Sequence, residues 1–410
     1  MWPTRDRGQS VVMLDAVEVA SVEDVHLQRF SVGYDYPVWF TRDLFDPGNP
    51  ILLEAISRRE PDRRHRVLVL LDEGLARQLP DLPRRIRSYA EHHGRRLDLA
   101  APVEPLAGGE GVKNDYDLLL KLLHRLQALG IDRHSFVVAV GGGALLDMVG
   151  FAAAICHRGI RHVRVPTTVL AQADSGVGVK NGVNAFGQKN FLGTFAPPFA
   201  VLNDAAFIDV LPGRDKRAGM AEAVKVALIR DRDFYLWLEE NVEVLARFEA
   251  AALDTLIRRC AVLHMRQIAH GGDPFEGGSA RPLDYGHWSA HKLEVLSGHE
   301  LRHGEAVAIG LALDTRYSVL RGMLAPGQDE RVWRLLSRLG FRLWHEALDK
   351  RQGDGTRAVM VGLREFREHL GGELTVTLLR AIGEGEEVHE MDEELVLRAI
   401  GWLRQREAGA

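Results

Sequence analysis

"SFVVAVGGGALLDMVGFAAAI", residues 135–155, decides the architecture. Its first part is apolar and β-branched, as a buried strand is, and its last part has apolar residues at helical spacing. Between them stand Gly141, Gly142 and Gly143. A strand running through glycines into a helix opens a βαβ unit. Glycines there let the backbone approach a ligand, and the first amides of the helix point at an anion. A dinucleotide pyrophosphate is the natural guest at the carboxyl end of a parallel strand. The glycines do not spell G-x-G-x-x-G, so a tight turn without a ligand fits the stretch as well.

The flanking sequence repeats the alternation. "RVLVLLDEG" (66–74) is a buried strand ending at Asp72, whose carboxylate could accept from a ribose hydroxyl. "LARQLPDLPRRIRSYAEHHG" (75–94) has helical spacing, and "RLDLAAPVEPLAGGEG" (96–111) is a strand entering a glycine-rich turn. "NDYDLLLKLLHRLQALG" (114–130) is a helix that starts at Asn114 or Asp115 and stops at Gly130. "HVRVPTTV" (162–169) is another strand, and "RFSVGYDYPVWFTRDLF" (29–45) alternates like paired strands. Glu110 and Lys113, in "GGEGVKND", belong to a second loop at the same sheet edge. After about residue 205 helical patterns take over: 215–230, 232–248, 250–270, 287–297, 303–322, 328–340 and 390–406. The expected organisation is therefore an α/β nucleotide-binding domain over 1–205 and a mostly α-helical domain over 206–410, parted near "VLNDAAFIDVLP" (201–212).

Composition narrows the function. The 410 residues are 46% hydrophobic and 27% charged, with a formal net charge of -5. That gives no basic footprint for nucleic acid. No apolar run approaches the ~20 residues of a membrane span, and "MWPTRDRGQS" (1–10) lacks the apolar core of a signal peptide. Cys156 and Cys260 are too few for a disulfide framework or a thiolate metal site. The expectation is a cytoplasmic protein acting on a small molecule, without nucleic acid or membrane.

"DYGHWSAHKLEVLSGHELRHGEAVAIG" (284–310) places histidines where a helix should bury an apolar face. His287 and His291, four apart, share one side of a helix, and His303 follows a break at Gly298. Imidazoles from two elements can meet on one metal ion, but surface histidines on a helix–loop–helix satisfy the same spacing.

Several uncommon motifs recur in one order: "GGGALLD" (141–147), "RGIRHVRVPTTVLAQADSGVGVKNGVN" (158–184), "GQKNFLGTFAPP" (187–198), "RAGMAEAVKVALIRD" (217–231), and "DYGHWSAHKLE" with "LRHGEAVAIG". Over roughly residues 29–380 the chain resembles the sugar phosphate cyclases, the superfamily of 3-dehydroquinate synthase. Glycerol dehydrogenase and the iron-type alcohol dehydrogenases share a looser pattern. The resemblance implies the dehydroquinate synthase-like fold, NAD+ as cofactor, and one divalent metal, Zn2+ or Co2+. It implies Glu222, His287 and His303 as metal ligands, with Asp72, Glu110, Lys113, the three glycines, Asp147, Thr167 and Thr168 on the cofactor. It also implies Asp174, Arg158, Lys189, Asn190 and Arg266 as substrate-binding, with Lys180, Lys225, Glu276, Asp284, His291 and His369 in the chemistry. Arg266 stands about where the family often has lysine. Arg158 matches an arginine that reaches the phosphate from a neighbouring subunit, so a homodimer is expected. His299 is expected in a loop, away from the site.

Dehydroquinate synthases must hold a substrate carboxylate, with an arginine seven residues and an asparagine three residues before the first metal histidine. Ala280 and Asp284 stand there instead. An aspartate repels a carboxylate and suits a hydroxyl-rich ketose. With "TRDLFDPGNP" (41–50), "GHWSAHKLE" (286–294) and His369, this resembles the 2-epi-5-epi-valiolone synthases, which cyclise sedoheptulose 7-phosphate. Other cyclases of that substrate, the 2-epi-valiolone and desmethyl-4-deoxygadusol synthases, stay open, as do an NAD-dependent polyol dehydrogenase and a sugar-phosphate sensor. A dehydrogenase would not need Lys180, Lys189 and Asn190, and a sensor would not need three metal ligands.

Overall fold

The computed structural model describes residues 26–186, 188–271, 274–275, 282–369 and 374–408. Contacts separate a segment ending at Asp35 from one compact unit, Tyr36–Ala410. The strands are β1 (Val38–Thr41), β2 (His65–Asp72), β3 (Leu97–Leu99), β4 (Glu104–Leu106), β5 (Phe136–Gly141), β6 (Arg161–Pro166), β7 (Lys180–Ala185), β8 (Gln188–Phe195), β9 (Ala200–Asp204), β10 (Val376–Ala381) and β11 (Glu384–Val388). Helices α1 (Ile51–Ser57), α2 (Glu73–Gln78), α3 (Leu82–His92), α4 (Tyr116–Ala128), α5 (Gly143–Ile155), α6 (Val169–Ala173) and α7 (Ala205–Asp209) lie among the sheet strands. The remainder are α8 (Gly213–Arg230), α9 (Arg232–Glu240), α10 (Val242–Ala246), α11 (Ala250–His270), α12 (His287–Leu296), α13 (His303–Leu320), α14 (Gln328–Arg338), α15 (Val361–His369) and α16 (Glu393–Ala408). This is an α/β half followed by a mostly helical one.

Two expectations need correction. Of 29–45, only β1 forms a strand. It pairs with β9 alone, in parallel, so the alternation does not mark a hairpin. The pattern over 75–94 is two helices, α2 and α3. Leu79, at φ -124° and ψ 74°, leaves the helical region because Pro80 follows it. The sequence reading also left out the hairpin β10–β11 and the hairpin β7–β8.

The main sheet has seven strands in the order β1-β9-β6-β5-β2-β3, with β4 also on β2, and every pairing is parallel. Successive residues of a strand point to opposite faces, and both faces are covered. Val138 and Val140 of β5 enter one apolar cluster with Ile56 and Ile86, while Val137 and Ala139 enter the other with Leu122 and Leu146. From β2 the chain turns to β3 and β4 on one side, then crosses to β5 on the other. That reversal opens a crevice beyond the carboxyl ends of β2 and β5, where ligands of such sheets bind. Asp72 and Gly141 end those two strands.

Candidate active site

The glycine turn is a cradle defined by missing side chains. A Cβ at Gly141 would lie 2.5 Å from Leu145 Cδ2 and 3.1 Å from Asp72 Cβ. One at Gly142 would lie 3.3 Å from Thr168 Cγ2, and one at Gly143 would lie 2.7 Å from Ser175 Oγ. That hydroxyl is buried without a hydrogen-bond partner. The amides at the start of α5 complete an anion-facing surface. Its other expected members serve structure too. Asp72 caps α2 through Leu75 N (2.9 Å), and Thr168 caps α6 through Ala171 N (3.1 Å). Thr167 N donates to Gly141 O at 3.0 Å, fixing the turn. Lys113 is buried, donates to Asp147 at 2.8 Å and pairs closely with Asn190. Asp147 thus holds Lys113, and Lys113 ties the Glu110 loop to the β7–β8 hairpin.

The helical half brings Glu222, His287 and His303 together; one ligand atom from each lies within 4.8 Å of the others. Glu222 sits mid-way along α8, His287 opens α12 and His303 opens α13. Glu222 Oε1 is 3.3 Å from His303 Nε2 and 3.7 Å from His287 Nε2. Neither Glu222 oxygen makes a hydrogen bond of good geometry, although Lys225 pairs closely with Oε2. A buried carboxylate so placed, opposite two imidazole nitrogens, fits a divalent cation. His291, Glu294 and His303 also meet the spacing, but both Glu294 oxygens are engaged, by Lys189 at 2.9 Å and His303 Nδ1 at 3.1 Å. The first triad is therefore the better ligand set.

The electrostatics agree. Burial alone would favour a neutral Glu222, but Lys225 and the two histidines hold it well below the usual carboxylate range. Burial, then Lys225, pushes His287 down to about 4, leaving a neutral imidazole with a free electron pair. Burial opposes charge on His303, yet the adjoining Glu222 and Glu294 carboxylates outweigh it and bring it to about 9. Burial also opposes charge on Lys225, but Glu222 and Asp174 raise it, and Asp284 adds to this.

Close packing fixes these elements. A Cβ at Gly304 would meet Ala218 O at 1.8 Å, and one at Gly310 would meet Gly286 O at 2.0 Å. Gly286, at φ 78°, is left-handed and starts α12. Its amide donates to the fully buried Asp314 at 3.1 Å, and Trp288 Nε1 donates to Asp314 at 2.8 Å. Burial pushes Asp314 up to about 7 against those two donors.

Around the triad, Asp174 lies 3.4 Å from Lys225 Nζ and 3.6 Å from His264 Nδ1. His264 was not singled out in the sequence. Its Nδ1 is buried without a hydrogen-bond partner, and α11 brings it beside Asp174. Arg266, two residues on, is exposed, because two residues turn a helix by about 200°. Glu294 was missed as well, although 287, 291 and 294 share one helical face. Arg164 is a third: fully buried, it donates to Gly176 O (3.1 Å), Gly178 O (2.8 Å) and Lys180 O (2.9 Å), shaping the approach to β7. Lys180 begins β7 and is exposed, and Asn190 is held at φ 52°. His291 stacks on His303 with centroids 6.0 Å apart. His299 is an exposed loop residue at φ 64°. Arg158 is exposed beyond the far end of α5, about 20 Å from the glycine turn for a 13-residue helix. Glu276 and Ala280 lie outside the described residues, as does the side chain of His369, the last residue of α15.

The model of the 3-dehydroquinate synthase N-terminal domain matches residues 104–218, and that of the 3-dehydroquinate synthase C-terminal domain matches residues 219–360. The chain belongs to the 3-dehydroquinate synthase family. A 2-epi-5-epi-valiolone synthase of Streptomyces glaucescens is 37% identical over 321 residues, 77% of this chain and 78% of that one. Among solved structures, the 2-epi-5-epi-valiolone synthase ValA of Streptomyces hygroscopicus, with NAD+ and Zn2+ bound, aligns at TM-score 0.81 and 28% identity over 93% of this chain and all of that one. A 2-deoxy-scyllo-inosose synthase with NAD+, Co2+ and carbaglucose-6-phosphate aligns at 0.71 and 25% identity over 88% of this chain and 95% of that one. Membership makes the protein a sugar phosphate cyclase. No helix among the described residues is long and apolar enough to cross a membrane.

Proposed function

We propose that the protein converts sedoheptulose 7-phosphate to 2-epi-5-epi-valiolone and phosphate. The observation that carries this choice within the family is Asp284. It stands three residues before His287, and its charge acts on Lys225. A carboxylate there accepts hydrogen bonds from a hydroxyl-rich ketose and opposes a substrate carboxylate. The valiolone synthases named above support the same reading.

Glu222, His287 and His303 would hold Zn2+ or Co2+, and the glycine turn with Ser175 would hold NAD+. When bound, the metal polarises a substrate oxygen and NAD+ accepts and returns one hydride. Lys225, anchored between Glu222 and Asp174, presents a fixed positive charge beside that oxygen. Asp174 and neutral His264 face substrate hydroxyls, and Asp284 orients the sugar through hydrogen bonds. Lys180, Lys189 and Asn190 neutralise the leaving phosphate. Arg158, which matches a family arginine that reaches the phosphate from a neighbouring subunit, serves the site of a second copy; the working unit is a homodimer in the cytoplasm. The phosphate itself carries off the proton during β-elimination, and the enol then closes the ring on the ketone.

Incubation with sedoheptulose 7-phosphate and NAD+ should release phosphate without net NADH, and NMR of the product should show 2-epi-5-epi-valiolone. Net NADH would identify a polyol dehydrogenase instead, and a different epimer would identify another cyclase of the same substrate.

A further inference from the structure

Glu294 is the buried charge that the reading above leaves without a task. It lies in α12, seven residues after His287, with its side chain 5% exposed. One oxygen accepts from Lys189 Nζ at 2.9 Å, and the other lies 3.1 Å from His303 Nδ1. Lys189 comes from β8 in the α/β half and also lies 3.9 Å from Glu110. His303 comes from α13 in the helical half. A single carboxylate therefore joins a metal histidine to a substrate lysine.

We infer that Glu294 is a positioning residue that sets the tautomer of His303 and, through the same group, couples the metal site to Lys189. An imidazole binds a metal through one nitrogen only if its proton is on the other. Glu294 has no proton to donate, so the contact fixes the proton on Nδ1 and leaves the Nε2 electron pair facing Glu222 and His287. Lys189 makes the same demand on the other oxygen, because an ammonium can only donate. Both neighbours require an acceptor, and only a carboxylate offers one on each side. A glutamine of the same shape offers one acceptor and one donor. With Lys189 present, its oxygen goes to the ammonium and its NH2 faces Nδ1. That reverses the tautomer and puts the proton on the nitrogen the metal needs.

This rests on the metal triad proposed above, and it predicts a pattern that simple loss of packing does not. Metal affinity is measured by Zn2+ competition against a chromophoric chelator, without substrate or turnover. Glu294→Gln should weaken Zn2+ binding about 10–100-fold, the usual effect of losing a histidine's outer hydrogen bond. Lys189→Met alone should stay close to wild type. The double variant Glu294→Gln/Lys189→Met frees the amide to flip and offer its oxygen to His303, so it should regain most of the lost affinity. That non-additivity is the signature. If Glu294→Gln binds as wild type does, or if the double variant is no better than the single, the inference is overturned. Wild-type protein that binds no divalent ion would overturn the triad itself. Should the glutamine variant not fold, 15N imidazole NMR of the wild-type zinc form decides the matter: Nδ1 of His303 must carry the proton, and a protonated Nε2 overturns the inference.

Discussion

At Gly141–Gly143 the molecule makes room for a ligand by leaving side chains out; at Glu222, His287 and His303 it crowds charged and titratable groups together under cover. The first site is built on a local turn, in which β5 ends at Gly141 and α5 begins at Gly143. The second draws on three helices spread from 213 to 320, plus Lys225, Asp174 and His264 around them. The difference predicts how each fails. Filling the glycine turn is a steric injury and should be graded. Removing a member of the triad leaves other buried charges unpaired and should be severe.

The strongest test of this contrast is His287→Ala. Metal content should vanish and phosphate release should fall by about three orders of magnitude or more, the several kcal/mol expected from loss of a Lewis acid. NAD+ affinity, measured by fluorescence quenching, should stay near wild type. Joint loss of both would show that the two sites are not separable.

Substrate choice comes next. Two like charges 4 Å apart cost about 4 kcal/mol at an effective dielectric of ~20, or roughly three orders of magnitude in binding. The carboxylate-bearing substrate of dehydroquinate synthase should therefore not turn over detectably, while sedoheptulose 7-phosphate should. Asp284→Asn should slow the latter without changing metal content. Equal turnover of both substrates by the unmodified protein would remove Asp284 from the argument.

Gly141→Ala should have a smaller effect. Its Cβ must displace Leu145 Cδ2 and press on Asp72 Cβ. Overpacking of this kind costs about 1–3 kcal/mol, so NAD+ should bind roughly 10–100-fold more weakly while zinc content is unchanged.

The mildest test is Asp314→Asn. Asparagine can accept from Gly286 N or Trp288 Nε1 but not both, which should lower stability by about 1–3 kcal/mol. The wild-type carboxyl is raised to about 7 from an ordinary 3.8. Its neutral folded form therefore contributes stability fully below pH 3.8, and this is lost as pH rises through 7. The asparagine variant lacks that contribution, so its deficit in urea melts should be greater at pH 5 than at pH 8. An equal deficit at both would place the carboxyl's titration elsewhere.

The same contrast governs what the sequence disclosed. The strand β5, its glycines and the start of α5 are neighbours in the chain, so a strand–turn–helix pattern exposes them, and Asp72 is visible separately as the end of its own apolar run. The triad was legible only through motif resemblance, because spacing alone cannot tell His287 from a surface histidine. Arg266 and His264 show the limit. Two positions on one helix face opposite ways, and no local pattern says which faces Asp174. Glu294 follows His291 at helical spacing and could have been found. Arg164 and Asp314 could not, since an arginine in a strand and an aspartate in a helix are ordinarily solvated. Pro80 was visible, and its break between α2 and α3 follows from proline geometry alone.

The hydrogens at Gly304 and Gly310 reach further than packing. They let α13 touch α8 at Ala218 and the α12 turn at Gly286, so His303, His287 and Glu222 ride on one welded block. Variation in this chain has a natural seam. Residues of the block cannot be exchanged one at a time, whereas Asp284 and His264 border the proposed substrate space outside it. A library meant to redirect the enzyme toward other sugar phosphates should freeze Gly304, Gly310 and Gly286 and randomise 264 and 284, since novelty there leaves the frame intact.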